Sequence, residues 1–328
     1  MMRSLYSGIS GLKNHQTRMD VIGNNIANVN TVGYKTSRVV FQDIFSQTVK
    51  SGSANILDLG RNLGGTNPTQ IGLGIKLSTV DVLHTPAPIT RTDNPFDAQI
   101  NGDGFFILQD QDSNFYYTRA GNFYLDDQGY LVSSHGYFVM AYGFPEDDGL
   151  SWGELTHFAD GEEDASYDPK KYGIIVPDEF DFETLKKIRL RWENEAFTPG
   201  DPYDPDIGPE FVDLVGFSIG NNGDVNVIIN NVSETIAYLG IAMFSNPAGL
   251  DKAGNSLYRE SPSSGAVVET LALKDGAGNI NGGGLEMANV DLATEFTDMI
   301  VTQRGFQANS RVITVSDTLL EELVNLKR

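Results

Sequence analysis

Residues 290–328 carry the sequence VDLATEFTDMIVTQRGFQANSRVITVSDTLLEELVNLKR. Apolar side chains recur along this stretch at alternating steps of four and three residues. Steps that average 3.5 residues keep one stripe along one side of a slightly underwound helix, which is typical of a coiled-coil surface. The stretch therefore predicts a long helix that packs against a partner. The predicted seam consists of Leu292, Phe296, Met299, Gln303, Phe306, Ser310, Ile313, Asp317, Leu320 and Val324.

The opposite end of the chain repeats this pattern over residues 4–28. Three glycines weaken the predicted helix, because each costs about 1 kcal/mol relative to alanine in a helix interior. The run NNIANVNTVGYK at residues 24–35 ends it, since asparagine and glycine both accept left-handed backbone angles. We therefore expect two terminal helices that pair in a coiled-coil-like terminal domain. The N-terminal seam consists of Leu5, Ile9, Leu12, Gln16, Met19 and Ile26.

The composition excludes several classes of function. The chain has 328 residues and a formal net charge of −21, which argues against binding to nucleic acid or to anionic lipid. Cysteine is absent, so disulfides, thiol nucleophiles and thiolate metal sites are excluded. No apolar run approaches the roughly 20 residues of a membrane span, and the N-terminus lacks the apolar region of a secretory signal peptide. These features predict a cytoplasmic protein unless export uses a route without a cleaved signal.

The middle of the chain reads as short strands and turns. In residues 97–144, apolar side chains alternate in pairs such as Phe105 and Ile107, and turn sequences such as NGDG and DDQG separate them. Residues 217–231 repeat the pattern as a hairpin around NNGD. Strands spaced in this way favour a sandwich or barrel. The predicted fold class is α+β, mostly β, with a β-rich body flanked by the two helices.

An acidic stretch at residues 145–213 interrupts this body. It holds 20 Asp and Glu against 6 Lys and Arg, and we interpret it as a small, solvent-facing inserted domain. The predicted organisation is a terminal helical assembly domain of residues 1–34 and 286–328, a β-rich body of residues 35–144 and 214–285, and an acidic inserted outer domain of residues 145–213.

No pattern in the sequence favours catalysis. Asp110, Asp112 and Asn114 resemble the start of a calcium loop, but Phe115 and Gly121 replace its required glycine and glutamate, so a polar turn is the better interpretation. The histidines are scattered without acidic partners at ligand spacing. We expect no enzyme, no cofactor and no metal site. The four histidines are His15, His84, His135 and His157.

Three classes of function stay open on the residues alone. A self-assembling structural subunit is favoured by helices at both termini, since one subunit's seams offer less free energy than ordering about 60 terminal residues costs. A secreted β-rich binding module would use Trp152 and Trp192 in its acidic loops. A carboxylate-dependent hydrolase is the weakest alternative. Loss of both helices should abolish assembly in the first class and spare activity in the others.

Three stretches of the sequence resemble the rod and hook family of bacterial flagellar axial proteins. They are residues 4–41, residues 290–328, and the piece DAQINGDGFFIL followed by YYTRAGNFYLDDQGYLV. The ending, residues 239–261 and the insertion after Phe144 are more similar to hook subunits than to distal rod subunits, which remain the alternative. The signature residues of the N-terminal elbow are Asn24, Asn25, Asn28, Thr31, Gly33 and Lys35.

This resemblance implies a structural subunit of the flagellar hook, which polymerises into a curved tube and acts as a universal joint between motor and filament. It also implies uncleaved export through the flagellar type III apparatus and a place in the hook or basal body. The implied neighbours are copies of itself, the hook cap, the distal rod and the hook–filament junction proteins. The residues expected to carry subunit assembly are Leu5, Ile9, Leu12, Met19, Ile26, Leu292, Phe296, Met299, Phe306, Ile313, Leu320 and Val324.

Overall fold

Two compact units divide the chain in the computed structural model, which describes residues 2–54, 56–58, 61–63, 65–127, 129–142, 186–188, 216–229 and 232–326. The first unit comprises residues 1–29, 35–84 and 290–328, and the second comprises residues 30–34 and 85–289. This division differs from the predicted domains, because residues 35–84 group with the terminal helices and not with the β-rich body.

The first unit is built on the two predicted helices. Helix α1 spans Met2–Ala27 and helix α2 spans Leu292–Leu326. Asp291 caps α2, since its carboxylate accepts hydrogen bonds from the backbone of Ala293 at 3.1 Å and from the hydroxyl of Thr294 at 2.6 Å. These bonds also lower the pKa of Asp291, as expected for a carboxylate that stabilises free N–H groups at a helix start.

A β-ribbon completes the first unit and explains why residues 35–84 join it. Its strands pair antiparallel as β1 with β6, β2 with β5 and β3 with β4. The ribbon lies along α1, where the side-chain amide of Asn14 donates to the carbonyl of Ile75 at 2.8 Å. The strands are β1 Ser37–Asp43, β2 Ser46–Lys50, β3 Ile56–Asp58, β4 Arg61–Leu63, β5 Thr69–Gly72 and β6 Ile75–Val82.

The second unit contains the remaining described strands. Most of them form the predicted β-rich body, and the pairs β8–β22 and β7–β23 lie beside it. The strands are β7 Ile89–Arg91, β8 Ala98–Asn101, β9 Phe105–Gln109, β10 Phe115–Thr118, β11 Phe123–Leu125, β12 Leu131–Ser133, β13 Phe138–Tyr142, β14 Lys186–Lys187, β15 Gly216–Ile219, β16 Asp224–Ile229, β17 Val232–Leu239, β18 Ile241–Met243, β19 Asp251–Gly254, β20 Leu257–Arg259, β21 Val268–Thr270, β22 Asn279–Gly282 and β23 Gly284–Glu286.

One antiparallel sheet of thirteen described strands organises this body, with the central order β15-β16-β17-β13-β9-β10-β20-β19. Successive side chains of a strand point to opposite faces. Accordingly, Phe106 and Leu108 of β9 lie in one buried apolar cluster, whereas Phe105 and Ile107 lie in another. Both faces of the central strand are therefore covered, and the predicted α+β, mostly β fold class is confirmed.

Residues 186–188 correct part of the predicted insertion. Strand β14 pairs with β13, and the side chain of Ile188 is fully buried in the core of the body. The acidic stretch 145–213 is therefore not wholly outside the body, because it contributes a strand to the sheet. The rest of that stretch, with Trp152, Trp192 and His157, lies outside the described residues. Within the described part, no helix is long and apolar enough to cross a membrane.

A buried ion pair joins distant parts of the second unit. The guanidinium of Arg119 lies 3.4 Å from the carboxylate of Glu286, and both side chains are 2% exposed. Arg119 also donates to the carbonyls of Ile100 at 3.3 Å and Gly102 at 2.8 Å. Burial lowers the pKa of Arg119, and the charge of Glu286 opposes that shift. Since a buried charge needs a partner, each side chain holds the other in place.

We predict that Arg119→Met lowers the free energy of unfolding by about 3–5 kcal/mol, because it leaves the carboxylate of Glu286 buried without its cation. The control is Arg91→Met, which removes an exposed ion pair with Asp93 and should cost under about 1 kcal/mol. Chemical denaturation of the full chain measures the free energy of unfolding of each variant. Equal losses in the two variants would contradict a structural role for the buried pair.

Candidate assembly surface on the terminal helices

The two terminal helices pack antiparallel along a narrow contact seam. The hydroxyls of Ser4 and Ser316 lie 3.4 Å apart at one end, and the amide of Asn25 donates to the carboxylate of Glu295 at 3.0 Å at the other. Between them, Arg18 and Asp298 form an ion pair of 2.9 Å. The seam residues with such contacts are Ser4, Gly8, Gly11, His15, Arg18 and Asn25 on α1, and Glu295, Asp298, Gly305, Asn309, Ile313 and Ser316 on α2.

Three glycines allow the close approach of the helices. A Cβ atom added at Gly11 would lie 2.5 Å from the side-chain nitrogen of Asn309, and one at Gly305 would lie 2.8 Å from the ring of His15. At Gly8 the nearest atom, in Ile313, would be 3.2 Å away. The sequence interpretation treated such glycines only as weak points of a helix. Their absent side chains in fact make room for the partner helix.

Polar groups also enter this seam. Burial, with a smaller effect of the Arg18 charge, lowers the pKa of His15, so its neutral form is favoured there. Burial likewise raises the pKa of Glu295, against the effect of its hydrogen bond from Asn25. The two buried residues of α2 are Thr302 and Ser316, both polar. Small and polar residues are thus prominent in the contact seam, beside the apolar Ile313, whereas the predicted seam was mostly apolar.

The predicted seam lies one residue away from the contact seam. Leu5 follows Ser4, Leu12 follows Gly11 and Ile26 follows Asn25, and on α2 only Ile313 belongs to both sets. Small and polar residues make the closest contacts between the two helices, and the predicted apolar residues lie beside them. Their role in subunit assembly stays a prediction. Leu5, Leu12, Met19, Ile26, Met299, Phe306, Ile313 and Leu320 are half-buried, whereas Ile9, Leu292, Phe296 and Val324 are exposed.

Other apolar side chains of α2 are exposed and lie outside this contact. They form two groups on opposite sides of the contact seam, since each residue advances about 100° around a helix. We name the group near the start of the helix the elbow-end patch: Leu292, Phe296 and Ile300. We name the other group the outer stripe: Val301, Val312, Val315, Leu319, Leu323 and Leu326. All nine side chains are exposed in the single subunit.

The signature elbow contains two residues whose geometry explains their identity. Gly33 has a positive φ of 67°, and a Cβ atom there would lie 2.6 Å from the backbone nitrogen of Ala120. Its N–H donates to the carbonyl of Glu286 at 2.8 Å. The buried amide of Asn25 donates to the carbonyl of Ser37 at 3.0 Å and accepts from its N–H at 3.1 Å. Asn25 thus joins α1 to the first strand of the ribbon and to α2.

The other elbow residues form the turn that follows α1. The side chain of Asn28 donates to the carbonyl of Asn24 at 2.9 Å, which satisfies a carbonyl at the end of the helix. The N–H of Tyr34 donates to the carbonyl of Thr31 at 3.3 Å, and Lys35 is fully buried. The elbow is the segment where the chain passes from the first unit to the second and back.

Comparison with known proteins finds three matching family models. The model described as flagella basal body rod protein matches residues 5–35, and the one described as flagellar basal body rod FlgEFG protein C-terminal matches residues 281–326. The flagellar hook protein FlgE/F/G D1 domain matches residues 99–227. These matches cover α1 with the elbow, α2, and much of the body.

Two relatives match over their full lengths. The flagellar basal-body rod protein FlgG of Bacillus subtilis is 42% identical over 330 residues, with 100% of both chains covered. The flagellar hook protein FlgE of Borreliella burgdorferi is 32% identical over 446 residues, again with 100% of both chains covered. The chain belongs to the flagellar hook and basal-body rod family. Its place is therefore in the bacterial flagellum.

Membership of the hook and rod family agrees with the resemblance found in the sequence. Members of this family are structural components of the flagellum. The D1 model matches residues 99–227, a range that encloses β14 and the acidic stretch. Among the residues that the structure describes, no group of three or more His, Asp or Glu side chains is placed to hold a metal ion.

We predict opposite effects for two glycine substitutions in the terminal helices. Gly305→Ala should lower the free energy of unfolding of the first unit by about 1–3 kcal/mol, because the added methyl group meets the ring of His15. Gly23→Ala should raise it by about 1 kcal/mol, since no atom lies within 4 Å of the new Cβ. Thermal unfolding followed by circular dichroism measures both. Stabilisation by both substitutions would mean that Gly305 does not set the distance between the helices.

Proposed function

We propose that the chain is a structural subunit that polymerises through its terminal helices into the axial tube of the flagellum. The exposed outer stripe of α2 is the observation that carries this proposal. A single subunit leaves Val315 57% exposed. Contiguous exposed apolar surface on a protein marks an interaction site.

The free energy available from burial of the outer stripe supports assembly. Its six side chains would contribute about 1.5–3 kcal/mol each if fully buried, an upper bound of about 9–18 kcal/mol per subunit. The narrow contact seam offers few apolar groups of its own. Copies of the chain that bury the outer stripe therefore supply stabilisation that one subunit lacks. The predicted assembly residues Ile9, Leu292, Phe296 and Val324 would be covered in the same way.

Within the flagellar axis, the hook is the place we propose for the subunit. Support comes from the hook-like ending and from the acidic stretch that follows β13. As a hook subunit it would form the curved universal joint that passes torque to the filament. Solvated acidic surface suits outer contacts that slide during bending. The elbow would set the angle between helix and body.

The distal rod is the second candidate, and it has its own support. The FlgG relative is more similar, at 42% identity, than the FlgE relative, at 32%. The FlgE alignment covers 446 positions against the 328 residues of this chain, so the hook relative has over a hundred residues without a counterpart here. A rod subunit would form a straight drive shaft from the same helices.

The partners follow from the place of the subunit in the axis. Copies of the same chain would be the main partner, and the hook cap would be present during growth. The distal rod and the hook–filament junction proteins would lie at the two ends of a hook. Export would use the flagellar type III apparatus without cleavage of a signal peptide.

We predict that Val315→Asp prevents polymerisation and leaves the fold of the subunit intact, because the carboxylate would be buried without a partner between copies. The control is Thr318→Asp, which adds the same charge three residues away on the polar side of α2. Electron microscopy and sedimentation measure polymer, and circular dichroism measures the fold. Normal tubes from the Val315→Asp variant would contradict assembly through the outer stripe.

Basal bodies from a strain that lacks this chain should separate the two candidates. We expect them to end in a straight rod without the curved segment, as required for a hook subunit. Negative-stain electron microscopy gives this result directly. Loss of the distal part of the rod itself would favour the distal rod candidate, and complementation by the intact chain is the control.

A further inference from the structure

A histidine lies where three elements of the first unit meet. The ring of His15 on α1 contacts α2, since a Cβ atom added at Gly305 would lie 2.8 Å from two atoms of that ring. On β1, the ring of Phe41 lies edge-on to the imidazole, with 6.3 Å between the ring centroids. The histidine is therefore held between a glycine of one helix and an aromatic ring of the β-ribbon, and neither of them carries a charge.

One nitrogen of this ring is suited only to the neutral form of the side chain. The Nδ1 atom of His15 is buried, and it has no hydrogen-bond partner among the residues that the structure describes. A neutral imidazole has one nitrogen without a hydrogen, and Nδ1 can be that nitrogen. In the cation both nitrogens carry a hydrogen and donate. Protonation would therefore place a buried N–H group where no acceptor meets it, which costs free energy.

The charged groups around His15 do not offset this cost. Burial, and then the charge of Arg18 one turn further along α1, lower the pKa of His15. The carboxylate of Asp298 on α2 is already bonded to Arg18 at 2.9 Å. On β1, Asp43 shares the face of Phe41 by alternation, and it is exposed at the end of the strand. The other charged side chains near these contacts on α1, α2 and the ribbon are exposed: Lys13, Asp20, Arg38, Lys76 and Arg304.

We propose that His15 makes the terminal helix pair sensitive to acid: the two helices stay closed while the ring is neutral, and their contact loosens when the ring takes up a proton. The contact with Gly305 is one of the places where the helices approach most closely, so a group that resists burial there acts on both helices. The proposal goes beyond the proposed function, because it concerns the single subunit and holds for a hook or a rod subunit alike. A subunit that leaves the cell would then change its helix pair with the pH of its surroundings.

The direction of the effect follows from the protons that each state binds. A histidine in an open, solvated chain titrates near about pH 6.5, whereas the pKa of His15 in the closed pair is lower. Between these two pH values the open state binds more protons, so acid favours opening. The equilibrium constant for opening rises there by up to about tenfold for each pH unit. Glu295 has the opposite effect at lower pH, since burial raises its pKa, so the window to measure lies just below about pH 6.5.

Hydrogen exchange of the full chain as a dilute single subunit, followed by mass spectrometry, tests this proposal. Protection factors remove the intrinsic pH dependence of exchange, and peptides from residues 8–18 and 302–313 report on the helix contact. We expect their protection to fall severalfold between about pH 6.5 and about pH 5.5. Peptides from β9 in the second unit are the internal reference and should keep their protection. His15→Gln, which stays neutral, should remove the fall, whereas His135→Gln, at an exposed position, should leave it unchanged.

Loss of protection in the unmodified chain and not in His15→Gln supports the proposal. An equal loss in both would overturn it, and removal of that loss by His84→Gln would assign it to the other histidine of the first unit. Terminal helices that are unprotected at neutral pH would also overturn it, while leaving the proposed assembly intact. If His15→Gln does not fold, nuclear magnetic resonance titration of the unmodified chain decides: a His15 signal that titrates below about pH 6.5 supports the proposal, and one that titrates at or above that value overturns it.

Discussion

The exposed apolar surface of α2 is the main physical constraint on the terminal unit. This helix has 35 residues, and its two buried residues are polar. Helices in water gain most of their stability from packing an apolar face, not from intrinsic propensity. In the single subunit ten large apolar side chains of α2 are exposed. In the proposed assembly, other copies of the chain would supply the surface that covers these side chains.

The charged residues are distributed unequally between the two units. The first unit holds 12 Lys and Arg and 10 Asp and Glu, whereas the second holds 11 and 34. The first unit thus has a net charge of +2, and the second has −23. A nearly neutral helical unit can pack against copies of itself with little Coulomb repulsion, and a strongly acidic body keeps the protein soluble. The net charge that excluded nucleic-acid binding is therefore compatible with close packing of the helices.

The sequence predicted the elements better than their contacts. Periodicity located both helices and the body strands, since it reports local geometry directly. It did not predict the polar and glycine contacts between the helices, because a pattern of large apolar residues shows which surface is buried and not which neighbour buries it. Gly8 and Gly11, three residues apart on α1, were the available signal for a close helix contact. The Arg119–Glu286 pair could not be predicted, since 167 residues separate its members. Ile188 was missed because residues 145–213 were interpreted from their overall acidic composition, which does not reveal a single core residue.

The hydrogen bonds of the elbow explain why this short polar segment contains several of the family signature residues. Where the chain leaves α1, terminal carbonyls lose their helical partners and must find others. Asn28 satisfies one of them, and Asn25 bonds both backbone groups of Ser37 while reaching Glu295. An aspartate at position 25 would keep the acceptor and lose both donated bonds, and it would place a second carboxylate beside Glu295. The amide is therefore required chemically, because one side chain must donate and accept where α1, α2 and the ribbon meet.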